Sequence, residues 1–124
     1  MIDGYTDVAV VVSDAQKAKE WYVDKLGFKV VLDKGHVICV SPNVKGGSLV
    51  LHLCGGFAPI EPGNAGIGFT ADDFEKTCEE LGAKGVKFST QPTNEDGFKS
   101  AKFLDLDGNE FWLFESSLAK KIME

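Results

Sequence analysis

Asp7, His52, Glu110, Trp112 and Phe114 are the side chains of this sequence whose types could handle a small molecule. His52 interrupts the apolar run Leu49-Val-Leu-His-Leu53, and a polar ring in such a run needs a partner. A carboxylate would satisfy it. A His–carboxylate pair can also serve as a general base or supply two ligands to a divalent ion. Glu110 opens Glu110-Phe-Trp-Leu-Phe-Glu115, an otherwise apolar run that follows the turn-forming Asp107-Gly-Asn109. A strand that is apolar on both faces, with isolated carboxylates, suits a sheet whose second face lines a partly dry cavity. Trp112 and Phe114 would give that face flat apolar surface, suited to a planar molecule, and an indole face also attracts cations.

Strand alternation decides which of these residues can act together, because residues two apart share a face. Asp7, Ala9 and Val11 fall on one face, as do Val50, His52 and Cys54. Gly66, Gly68 and Thr70 likewise share a face, and so do Glu110, Trp112 and Phe114. The pattern predicts strands over 6–12, 28–32, 37–40, 49–53, 66–71, 86–88, 99–104 and 110–115, with 89–98 as a long polar loop. Ser13-Asp-Ala-Gln16 reads as a capping box opening a helix whose apolar stripe is Ala15, Ala18, Trp21, Tyr22 and Leu26, closed by Gly27. Asp72-Asp-Phe-Glu75 opens a second helix with Phe74, Cys78 and Leu81 inside, ended by Gly82 and Gly85. Residues 116–124 read as a short amphipathic tail.

Composition removes several classes of function. The net charge of −6 disfavours nucleic acid and anionic membrane, since an acidic surface gains nothing from counterion release. All 13 basic residues are Lys, so bidentate guanidinium clamping of phosphate is absent. No window approaches a membrane span, and Met-Ile-Asp-Gly-Tyr-Thr-Asp lacks the basic and apolar regions of a secretory signal. The expectation is a cytoplasmic protein whose Cys39, Cys54 and Cys78 stay reduced as small hydrophobes.

The chain also repeats itself. Val10-Val-Val-Ser-Asp14 matches Phe69-Thr-Ala-Asp-Asp73, and Leu26-Gly-Phe-Lys-Val30 matches Lys84-Gly-Val-Lys-Phe88, at an offset of about 59 residues. Each half is a strand–helix–strand–strand–strand unit, with module one over 1–54, a Gly/Pro linker over 55–64 and module two over 65–124. One helix covers one sheet face, so each module leaves the other open. Val11-Val-Ser-Asp14, Trp21-Tyr22, Leu26-Gly-Phe28, Phe69-Thr-Ala-Asp-Asp73 and Phe103-x-Asp-x-Asp-Gly-Asn109, taken in order, resemble the vicinal oxygen chelate superfamily of glyoxalases, bleomycin-resistance proteins and extradiol dioxygenases. Leu106 departs from it, standing where that acidic turn usually has Pro.

The resemblance implies an α+β fold of two βαβββ modules whose open faces form a cup, within a chain or in a homodimer. It also implies metal-ligand positions on the first and last strand of each module, which fall here on Asp7, His52, Gly66 and Trp112. Asp and His can ligate, but Gly has no side chain and indole is a donor only. Two ligands do not hold a catalytic metal, which needs about three. The expectation is therefore no metal cofactor and a binding protein similar to the drug-sequestering members, with a planar or cationic small molecule held by Asp7, His52, Thr70, Glu110, Trp112 and Phe114. The alternative is a lyase, isomerase or dioxygenase with a divalent metal on a shifted set such as Asp7, His52 and Glu110. A third reading is a member whose cup is filled by side chains and whose role is association.

Overall fold

Asp14, not Ser13, caps the first helix: its backbone is extended and its carboxylate accepts from the Lys17 N–H at 3.0 Å. That leaves Ser13 before the cap, a one-residue correction to the expected start. The helix α1 (Ala15–Leu26) buries Ala18 and Tyr22 and stops at Gly27, whose φ of 71° is left-handed and closes the last turn as only glycine does cheaply. The same device recurs in α2 (Phe74–Ala83), where Asp73 accepts from the Lys76 N–H at 3.2 Å.

The structure is a computed structural model describing residues 1–4, 6–42, 49–55, 63–95 and 97–117. Most of the Gly/Pro linker, the Asn43–Gly47 turn and the tail beyond 117 lie outside those residues. The chain divides into two units, Met1–Glu61 and Pro62–Glu124. The first holds β1 (Val8–Val11), α1, β2 (Lys29–Asp33), β3 (Ile38–Ser41) and β4 (Leu51–Cys54), in the sheet order β1-β4-β3-β2. The second holds β5 (Asn64–Ala71), α2, β6 (Phe88–Glu95), β7 (Phe98–Leu104) and β8 (Glu110–Glu115), in the matching order β5-β8-β7-β6. In both sheets the first and last strands run parallel and the remaining pairs antiparallel. These are the two βαβββ modules of the expected α+β fold. No helix among the described residues is long and apolar enough to cross a membrane.

Alternation seals one face of each sheet. In the first unit Val10, Val12, Ile38, Val40, Leu51 and Leu53 are buried together with Ala18 and Tyr22 of the helix. In the second, Phe69, Phe103 and Phe111 bring their rings to centroid distances of 5.3–6.3 Å, and Phe74, Cys78 and Leu81 are buried along α2. Burying each such ring contributes about 1.5–3 kcal/mol. The alternate positions Ala9 and Val11 are exposed, while His52, Trp112 and Phe114 are half-buried.

The expected polar loop over 89–98 is instead mostly strand. Ser89-Thr-Gln-Pro-Thr-Asn-Glu95 belongs to β6, which pairs with β7 at the sheet edge. An edge strand needs no apolar alternation and tolerates Pro92, and two register shifts mark its irregularity.

Asp105 organises the β7–β8 turn. Its Oδ1 accepts from the N–H groups of Asp107 and Asn109, both at 2.9 Å, and its Oδ2 accepts from Asn109 Nδ2 at 2.9 Å. Gly108 completes the turn at φ 87° and donates to the Asp105 carbonyl. Asp105→Ala should therefore lower the unfolding free energy by about 2–3 kcal/mol, because buried donors lose a charged acceptor. Urea denaturation checks this; a loss under about 0.5 kcal/mol would show that the turn does not depend on the carboxylate.

Candidate functional site

The open face of the first sheet gathers Asp7, His52 and Cys54. Parallel pairing of β1 with β4 sets Ala9 beside His52 and Val11 beside Cys54. Asp7, just before β1, brings its Oδ1 to 3.9 Å from His52 Nδ1, while its Oδ2 accepts from the Thr6 hydroxyl at 2.9 Å. The same Nδ1 lies 3.6 Å from Cys54 Sγ. One ring nitrogen facing both partners is not the arrangement of a nucleophilic triad, which uses the two nitrogens separately. Burial pushes the Cys54 thiol up, and the Asp7 charge adds to the shift. Cys39, paired with His52 across β3, is raised for the same two reasons in the same order. Both stay thiols at neutral pH, with little nucleophilic character.

The second sheet presents a grid on its open face. Gly68, Trp112 and Lys102 form one row across β5, β8 and β7, and Thr70, Phe114 and Ser100 form the next. Trp112 and Phe114 lie parallel within 5°, centroids 5.5 Å apart, as an offset stack. Lys102 Nζ sits 4.1 Å from the centre of the indole. Gly68 makes room for the stack, since a Cβ there would meet the Phe114 ring at 3.0 Å. Gly66 is required by the backbone: its φ is 71°, and Asn64 Oδ1 accepts from its N–H at 2.7 Å. Lys102 is absent from the residues singled out in the sequence. Its alternation with Ala101 and Phe103 marks the face, but its pairing with Trp112 depends on a register that the sequence does not disclose.

Glu110 belongs to a different network from the one expected of a ligand anchor. Its Oε1 accepts from Asn64 Nδ2 at 3.0 Å and its Oε2 from the Ser89 hydroxyl at 2.6 Å, tying three strands together. These bonds, Ser89 first and Asn64 next, hold its carboxyl below the ordinary 4.5, with the Lys102 charge a smaller influence. A divalent metal does not fit this donor set. Gly66 and Trp112 give nothing to coordinate with, both Glu110 oxygens are engaged, and among the described residues no group of three or more His, Cys, Asp or Glu is placed to hold a metal ion. A 260 Å³ depression beside the start of α1 is lined by Ser13, Asp14, Gln16 and His36, but the Asp14 carboxylate already takes the helix N-terminus.

This geometry has relatives. Residues 4–113 match the Glyoxalase/Bleomycin resistance protein/Dioxygenase superfamily, and the chain belongs to it. YetH, an uncharacterised protein of Bacillus subtilis (strain 168), is 32% identical over 120 residues, covering 93% of this chain and all of its own. A superfamily member from Sphaerobacter thermophilus DSM 20745 superposes with a TM-score of 0.81 at 28% identity, over 92% of this chain and 98% of that one. TnmS3, an antibiotic binding protein from Streptomyces sp. CB03234, gives 0.72 at 28% identity, over 93% and 98%.

Because Glu110 has a lowered pKa in the folded state, the stability it contributes is present above about pH 4.5 and is lost as pH falls through its folded-state value. Glu110→Gln should therefore melt below the native protein at pH 7, with the gap closing in acid below the usual carboxylate range. Thermal unfolding across a pH series checks the sign; a gap that is constant or widens in acid would contradict it.

Proposed function

We infer that this chain binds a small molecule, without a resident metal, on the open aromatic face of its second sheet. The observation that carries the reading is the Trp112–Phe114 stack standing where a module-two metal ligand would have to be. A half-buried parallel ring pair costs little entropy to present and offers area that water solvates poorly. The likeness to TnmS3 supports the same class of role. Thr70, beside Phe114 on the same sheet, would supply a polar contact. The acidic surface and the absence of Arg favour an organic ligand over nucleic acid or a polyphosphate.

The same proposal includes a homodimer in the cytoplasm. The edge strand β2 leaves Val30, Val31 and Leu32 about two-fifths exposed, and Val11 is exposed to a similar degree. Apolar surface of this kind is covered at low cost by a second copy. Free Cys39, Cys54 and Cys78 agree with a reducing compartment.

In a Trp21→Phe background, titration with planar aromatic compounds should change Trp112 fluorescence saturably. Trp112→Ala should weaken binding at least about tenfold, given that stacking adds about 0.5–1.5 kcal/mol to lost burial. Failure of a broad panel to saturate would remove the binding reading. Thermal melts with added Zn²⁺, Mn²⁺, Ni²⁺ or Fe²⁺ should leave Tm unchanged. Metal held at 100 times its Kd would instead add about 2.7 kcal/mol, so a clear rise in Tm would favour the metalloenzyme alternative.

A further inference from the structure

We propose that the ligand of the second sheet is an anionic planar molecule, an aromatic carboxylate or phenolate, selected by Lys102 and the hydroxyls of Thr70 and Ser100. The inference rests on the binding role proposed above and gives that site a ligand class. It also reverses the cationic preference that Trp112 and Glu110 suggest when read from sequence alone. Two observations carry it.

The first is that the cation site of the indole is already taken. Lys102 Nζ lies 4.1 Å from the Trp112 ring centre, so an ammonium ligand would have to displace a tethered one and then sit beside its like charge. Among the described residues, Lys102 has no carboxylate within ion-pairing distance. Glu110, on the same face, makes its hydrogen bonds to Ser89 and Asn64 and meets Lys102 only as a smaller, longer-range charge.

The second is the polarity of what surrounds the rings. Thr70 and Ser100 flank Phe114 from the two neighbouring strands, as Gly68 and Lys102 flank Trp112. An ammonium and two hydroxyls can all donate, and the Glu110 carboxylate beside Trp112 is engaged. A ligand that stacks here therefore meets donors around its perimeter and is recognised through acceptors. An anion makes charge-assisted hydrogen bonds, which are stronger than those of a neutral isostere.

The test uses a matched set of probes on the whole chain: naphthalene-2-carboxylate, naphthalene-2-carboxamide and 2-naphthylmethylammonium, followed by calorimetry. The carboxylate should bind about tenfold tighter than the amide and the ammonium weakest. Lys102→Met, which removes the charge and keeps most of the apolar stem, should bring the carboxylate-to-amide ratio close to one, and Lys102→Arg should retain the preference. Raising ionic strength to about 1 M, where charges are screened beyond about 3 Å, should weaken the carboxylate and spare the amide in the unsubstituted protein. Equal affinity for carboxylate and amide, or tightest binding of the ammonium, would overturn the ligand class while leaving the binding role intact. Saturable binding by none of the three would remove both.

Discussion

One helix can seal only one face of a four-stranded sheet, and the rest of this molecule follows from that constraint. Each unit spends its alternating apolar residues on the helix-facing side: Val10, Ile38, Val40, Leu51 and Leu53 in the first, Phe103, Phe111 and Leu113 in the second. What remains on the other side is not constrained by the core and is free to differ. The two units use the same strand order, but their open faces carry different chemistry. The first presents an acid, an imidazole and two thiols, and the second presents stacked rings beneath a lysine.

The second face is assembled by small residues and by a diverted carboxylate. Gly68 is the space into which Phe114 turns, and the left-handed Gly66 bends β5 where Asn64 reaches Glu110. Glu110, one residue pair from Trp112, serves as a cross-strand tie between β5, β6 and β8 rather than as a group offered to a ligand or a metal. The carboxylate is used for structure and the lysine is left for recognition. This division sets the electrostatic character of the face, against a chain that is acidic overall.

Much of this was legible in the residues. The bounds of β8 followed from the acidic turn before it and the apolar run within it, and both helices followed from a polar opening segment and a spaced stripe, although the first cap falls on Asp14 rather than Ser13. The strand β6 was hidden because an edge strand exposed on both sides has no alternation to read, and Pro92 argues locally for a loop. Asp105 stands in the motif that carries the resemblance, but its role as the turn's acceptor was hidden for a different reason. Asp107, Gly108 and Asn109 carry the conspicuous turn chemistry, whereas the acceptor that holds them comes earlier and looks like one more surface acid. Lys102 was invisible as a site residue because its role depends on pairing with Trp112 across β7 and β8, and a one-residue slip would send it to the other face.

The central claim is that Trp112, standing in place of a metal ligand, makes a binding surface. The most direct measurement is the indole N–H signal of Trp112 in ¹⁵N-labelled, chelator-treated protein during titration with naphthalene-2-carboxylate. The account predicts that this signal moves saturably without metal while that of Trp21 stays in place. A Trp112 signal that stays fixed, or that responds only after a divalent metal is added, would contradict it.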